Sequence, residues 1–213
     1  YEWGEFTIRL GWNDPVEFAR RNDEFYAHYQ AGTLDVHDYV RFATEAVRLR
    51  GPEAAAAAHA QFMREVIAPA IRPQALDLIR QHQAAGDHVL IVTATNEFVT
   101  RPIAKALGVE ELLAVQLARD AQGWYTGEID GIPTMRQGKV LRMEQWLADR
   151  QLGWGDVEST FYRDSMNDVP LWEKVDHPVA TNPDPRLRAL AQERGWRILD
   201  LFADDASAAT AGA

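Results

Sequence analysis

The chain contains no cysteine, which excludes disulfide staples, thiolate nucleophiles and cysteine-ligated zinc. Positive charge is scarce: 22 Lys and Arg stand against 32 Asp and Glu, for a net charge of -10 at pH 7. A surface built to neutralise nucleic-acid phosphates needs clustered cations, so no nucleic-acid partner is expected. No apolar run reaches membrane-spanning length, and no charged start leads through an apolar stretch to a small-residue cleavage site. These features set the expectation of a cytoplasmic protein with no membrane partner. What is present is 213 residues at 46% hydrophobic content, enough to bury the core of one α/β domain carrying a smaller insertion.

From residue 1 to about 68 the chain reads as consecutive helices with no buried strand, and the stops fall at Asn13-Asp14-Pro15, Gly32-Thr33 and Gly51-Pro52. Beyond Pro69 short apolar runs alternate with helices, the pattern of a parallel sheet covered on both faces. A helix over Pro73 to Ala85 stops at Gly86 and leads to a strand at Val89 to Val92. A second helix ends at Leu107-Gly108, and Leu112 to Leu117 offers another strand. Trp124 to Gly127 and Glu128 to Gly131 form a small β-hairpin, and a helix over Gly138 to Asp149 precedes a strand at Thr160 to Tyr162. The remainder reads strand 178–180, helix Pro185 to Arg194, strand Ile198 to Leu201, then a small, polar tail expected to be disordered.

In open α/β sheets, reactive groups gather where strands end and helices begin. The first such junction is Val92-Thr93-Ala94-Thr95-Asn96, where the Thr93 hydroxyl and the following amides could hold a phosphate oxygen. The plainer alternative is that Thr95 or Asn96 caps the next helix. The second is Arg163-Asp164-Ser165-Met166-Asn167-Asp168. With a helix starting near Ser165, Asp164 at the strand tip and Asp168 in the first turn face one cavity suited to a hard divalent cation; a capping role for either acid is the competing reading. The third is Gly138-Lys139. A lone lysine is usually a solvated surface charge, but phosphoryl transfer needs a fixed cation opposite the transferring oxygens.

Taken in order, Thr93 after its strand, Lys139 opening a helix, and Asp164-Ser165-Met166-Asn167-Asp168 as D-x-x-N-D resemble the motifs of the haloacid-dehalogenase-like superfamily, specifically its phosphoserine-phosphatase-like branch. The resemblance covers most of the chain and implies a Rossmann-like parallel-sheet core over 69–202, an all-helical cap over 1–68, the small hairpin, and a tail over 203–213. It also implies a Mg²⁺-dependent phosphatase acting through an aspartyl-phosphate on a small-molecule phosphomonoester, with phosphoserine or histidinol phosphate as the model substrates. On the positions that match, Asp164 is assigned to the metal and Thr93, Ala94, Lys139 and Asn167 to the phosphate. Asp168 would hold Lys139 in place, so that Thr93, Lys139 and Asp168 form the catalytic set.

Two departures accompany the resemblance. The family's D-x-D-x-T loop, whose first Asp is the nucleophile and second the general acid and base, is not found before Tyr1, and a strand carrying it is expected upstream. Glu128-Ile129-Asp130-Gly131 imitates that loop only superficially. Arg163 stands where the family usually has Gly or Ser, so it could pair with Asp164, face solvent or contact a substrate anion. It also motivates the alternative of a degenerate phosphate-binding module. A third reading, transfer to an acceptor other than water, would require a second substrate.

Overall fold

The computed structural model describes residues 2–165 and 169–203. Their contacts form two compact units, Tyr1–Ile71 with Thr93–Pro133, and Arg72–Val92 with Thr134–Ala213. This grouping crosses the division expected at residue 68, and the first unit shows why.

Helix α1 (Glu2–Arg9) carries Glu2 and Glu5 in its first turn and Arg9 in its last, matching the helix dipole. Helix α2 (Pro15–Ala31) starts where Asp14 accepts from the amides of Val16 and Glu17, with Pro15 ready-set for the first turn. Helix α3 (Val36–Phe62) starts at Asp35, which accepts from His37 and Asp38, so the cap lies two residues beyond the expected Thr33. The break expected at Gly51-Pro52 is a kink inside α3: Gly51 has φ 78° and ψ 172°, a conformation that favours glycine, and Pro52 reopens the helix. A π-helical turn (Met63–Ile67) and the short α4 (Ala68–Ala70) end the block.

Strand β1 (Leu90–Asn96), helix α6 (Glu97–Ala106), β2 (Glu111–Arg119) and β3 (Tyr125–Asp130) follow, with α5 (Pro73–Ala85) preceding β1. The sheet order is β1-β2-β3. The hairpin differs from the expected one: Tyr125–Asp130 is a single strand paired antiparallel with β2, with Gln116 opposite Asp130 and Arg119 opposite Tyr125. Its turn is set by Asp120, whose carboxylate accepts from the amides of Gln122 and Trp124, and by Gly123 at φ 81°. The hairpin packs on α3, where the Trp124 indole donates to the Arg48 carbonyl at 3.3 Å and Arg41 reaches Glu128 at 3.0 Å. Trp3, Phe6, Val47, Phe62, Val99, Val115 and Tyr125 share one buried cluster. The apolar faces of the helical block and of the hairpin are thus buried against each other, which puts them in one unit.

The second unit holds α5, α7 (Gln137–Ala148), β4 (Thr160–Arg163), α8 (Val169–Trp172), β5 (His177–Thr181), α9 (Pro185–Arg194) and β6 (Arg197–Leu199). Strands β4, β5 and β6 form a parallel sheet in that order. Their connections are crossovers, as parallel pairing demands. Helix α9 is capped by Asp184, which accepts from Leu187 at 2.7 Å, and Trp172, Ala180, Leu187 and Ala191 form the core under it. Asp176 accepts from both the amide and hydroxyl of Ser159 at 2.8 Å, tying the start of β4 to that of β5. Strand β6 ends two residues earlier than the expected Leu201. No helix of the described residues is long and apolar enough to cross a membrane. Residues 204–213 of the expected tail lie outside the described residues.

Candidate active site

Strand β1 runs four residues past the expected end at Val92, so Thr93 and Ala94 lie within it and both are half-buried. The reason is local: Asn96, not Thr95, caps α6 by accepting from Val99 at 3.2 Å, and the chain stays extended until that cap. The Thr93 hydroxyl accepts from the Thr95 amide at 3.2 Å, and a hydroxyl that accepts one hydrogen bond keeps a proton to donate. The capping alternative is therefore realised at Asn96, three residues after Thr93.

Lys139 departs most from the ordinary behaviour of its residue type. It sits in the first turn of α7, begun by Arg136 at φ 50°, ψ -120°, an unusual conformation for a side-chain-bearing residue. Its side chain is only 2% exposed, beside Thr134 at 0% and Arg142 at 8%. Burying an ammonium costs several kcal/mol unless it is compensated, so the solvated-surface reading of Lys139 is overturned. Helix α7 packs against α8, the helix that follows the acidic motif in sequence.

Asp164 directly follows the last residue of β4, at the carboxyl end of a parallel strand, with its side chain 70% exposed. Arg163 turns its Nε toward Asp164 Oδ1 at 3.6 Å, so the two charges face each other, beyond hydrogen-bonding distance. Ser165 itself is not helical, and α8 is described from Val169. Asn167 and Asp168 lie outside the described residues. An exposed carboxylate in a chain without cysteine is chemistry that fits Mg²⁺. Among the described residues no cluster of three or more His, Asp or Glu gathers. Thr93 belongs to the first unit, Lys139 and Asp164 to the second.

The second unit also contains a cleft of about 800 Å³, lined among others by His82, Tyr162 and the first residues of its strands, Thr160, His177 and Arg197. It opens at the amino ends of the strands, opposite Asp164. Beside it, Asp87 contacts His82 Nδ1 at 2.6 Å and His82 Nε2 contacts the Tyr162 hydroxyl at 2.8 Å. Sequence reading missed this relay because 80 residues separate His82 from Tyr162; the only local signal was a histidine in the last turn of α5, five residues before an acid.

A family model for haloacid dehalogenase-like hydrolases matches residues 1–173. A histidinol-phosphatase of Neisseria meningitidis serogroup C (strain 8013) is 37% identical over 201 residues, covering 94% of this chain and 90% of that protein. The solved structure of a protein of unknown function from Bordetella pertussis Tohama I is 48% identical, with a TM-score of 0.87 over 95% of this chain and 91% of that one. A probable phosphoserine phosphatase from Vibrio cholerae shares the fold at a TM-score of 0.61 and 16% identity, over 87% of this chain and 53% of that one.

Proposed function

From the premise that this chain belongs to the haloacid dehalogenase-like hydrolases, we propose that it acts as a Mg²⁺-dependent phosphomonoesterase on a small phosphorylated metabolite. The buried ammonium of Lys139 carries the reading. A fold that hides a cation at a helix start, against the cost of desolvation, has a use for fixed positive charge, and a phosphoryl group in transfer is such a use.

In this proposal Lys139 neutralises charge developing on the phosphoryl oxygens, with Asp168 holding it, while the Thr93 hydroxyl, the Ala94 amide and Asn167 bind those oxygens. Asp164 holds Mg²⁺, directly or through water; the ion when bound supplies charge stabilisation on the phosphoryl group. In this reading the nucleophile is the first acid of a D-x-D-x-T loop. Its first carboxylate attacks phosphorus and the P–O bond to the alcohol breaks. The second acid protonates the leaving oxygen, then takes a proton from the water that cleaves the acyl phosphate. The gene sequence tests this part.

The helical block over 1–68 serves as the cap that selects the leaving group. Most of its aromatics are structural: Trp3 and Phe6 lie in the core, and Phe18 and Phe25 pack on Phe42. Tyr26, 59% exposed, is available for recognition. Of the two model substrates, the Neisseria relative favours a histidinol-phosphate-like ester. The cytoplasm is the compartment that goes with a cysteine-free metabolic enzyme.

A second reading, a phosphate-binding module without turnover, is favoured by Arg163, because a guanidinium facing Asp164 competes with a metal for that carboxylate. Phosphate release by the full-length protein from histidinol phosphate, phosphoserine and an aryl phosphate, with Mg²⁺ or with chelator, separates the two. Mg²⁺-dependent release supports the phosphatase; phosphate binding without release supports the module.

A further inference from the structure

We propose that Asp87, His82 and Tyr162 form a clamp that holds strand β4 and so positions Asp164 for metal binding. The inference rests on the reading of Asp164 as a Mg²⁺ ligand.

The clamp is built into the end of α5. Gly86 takes φ 88° there, and the turn lets the Asp87 amide donate to the His82 carbonyl at 3.0 Å. That backbone bond brings the Asp87 carboxylate to His82 Nδ1 at 2.6 Å. A carboxylate only accepts, so Nδ1 carries the proton, and Nε2 pairs with the Tyr162 hydroxyl at 2.8 Å, a group able to donate or accept. The two rings also meet edge to face, with centroids 5.5 Å apart.

Strand β4 needs such a hold. It has four residues, and its one hydrogen-bonded neighbour among the described residues is β5. Side chains alternate along it: Phe161 packs on Trp172 at 6.4 Å, while Tyr162, on the other face, meets α5. The ladder to β5 and the Phe161 contact fix one side and one face. The hydroxyl of Tyr162, two residues before Asp164, fixes the other face to a helix end. Partners outside the ligand sphere orient metal-binding groups and commonly change affinity by tenfold or more.

The test is calorimetric titration of the full-length protein with Mg²⁺, without substrate. Tyr162→Phe keeps the ring and removes only the hydroxyl; His82→Ala removes its partner; His82→Gln offers a side-chain amide in its place. Tyr162→Phe and His82→Ala should each bind Mg²⁺ about tenfold more weakly, with most of the loss recovered in His82→Gln. At saturating Mg²⁺ the KM for substrate should stay at the wild-type value. Wild-type Mg²⁺ affinity in Tyr162→Phe would overturn the clamp. Asp164→Asn distinguishes failure of the premise: unchanged Mg²⁺ binding there removes Asp164 as ligand, whatever the clamp variants do.

Discussion

The first unit buries neutral polar groups on backbone partners, whereas the second buries charge. In the first, Thr7 donates to the Gly4 carbonyl, Thr44 to the Val40 carbonyl, His59 contacts the Val99 carbonyl, and Asn96 caps α6. All four sit around an aromatic cluster running from Trp3 through Phe62 to Tyr125. The second unit has a smaller core, Trp172, Ala180, Leu187 and Ala191, and buries Lys139 and Arg142. Among the described residues no lysine or arginine is buried in the first unit. Neutral polar groups satisfied by backbone carbonyls and amides serve folding. A buried cation is costly for folding and is better understood as serving chemistry.

The comparison is broken most directly at Lys139. Lys139→Met should lower kcat by about 10²–10³-fold while the variant still folds. A kcat within about threefold of wild type would remove Lys139 from the phosphoryl site. The counterpart in the first unit is Phe62, 1% exposed. Phe62→Ala should cost about 3–5 kcal/mol in denaturant unfolding, and a cost under 1 kcal/mol would remove that cluster as the unit's organiser.

A smaller effect separates the units by pH. Burial among Trp3, Phe62 and Phe98 lowers the pKa of His59 below its ordinary 6.5, against the opposing pull of the Val99 carbonyl. The folded state thus favours the neutral ring. Stability from this group is fully present above the unfolded value of 6.5 and is lost as the pH falls below it, since the unfolded chain takes up a proton that the folded chain resists. The urea midpoint should fall between pH 7.5 and 5.5 by more in the wild type than in His59→Gln; equal falls would exclude His59 as the source. The smallest expected change is in the second unit, where Asp184→Ala removes the α9 cap at a cost of about 1 kcal/mol, read by the same melts.

Much of the architecture was legible because turn chemistry is local. Asp14-Pro15, Gly32, Gly51-Pro52 and Gly86 punctuate the chain where the sequence places them, and β5 and α9 follow from an apolar run and a proline start. The hairpin was misread because period-2 alternation in Tyr125–Asp130 does not say which strand is its partner; the turn at Asp120 to Gly123 does. Thr93 was placed beyond its strand because the strand was ended with the apolar run at Val92, whereas the chain stays extended to the Asn96 cap. Of the candidate site, the residue types at Thr93, Lys139 and Asp164 could be read as motifs. The burial of Lys139, the orientation of Arg163 and the His82 relay depend on tertiary contacts that no local pattern encodes.

The central claim is that Thr93 and Lys139 serve the same phosphoryl group. Calorimetric titration of the full-length protein with inorganic phosphate in the presence of Mg²⁺, compared with Thr93→Val and Lys139→Met, tests it most directly. The account predicts binding weakened by about fivefold for Thr93→Val and by about tenfold or more for Lys139→Met, the scale of a neutral and a charge-assisted hydrogen bond. Wild-type affinity in either variant would contradict it.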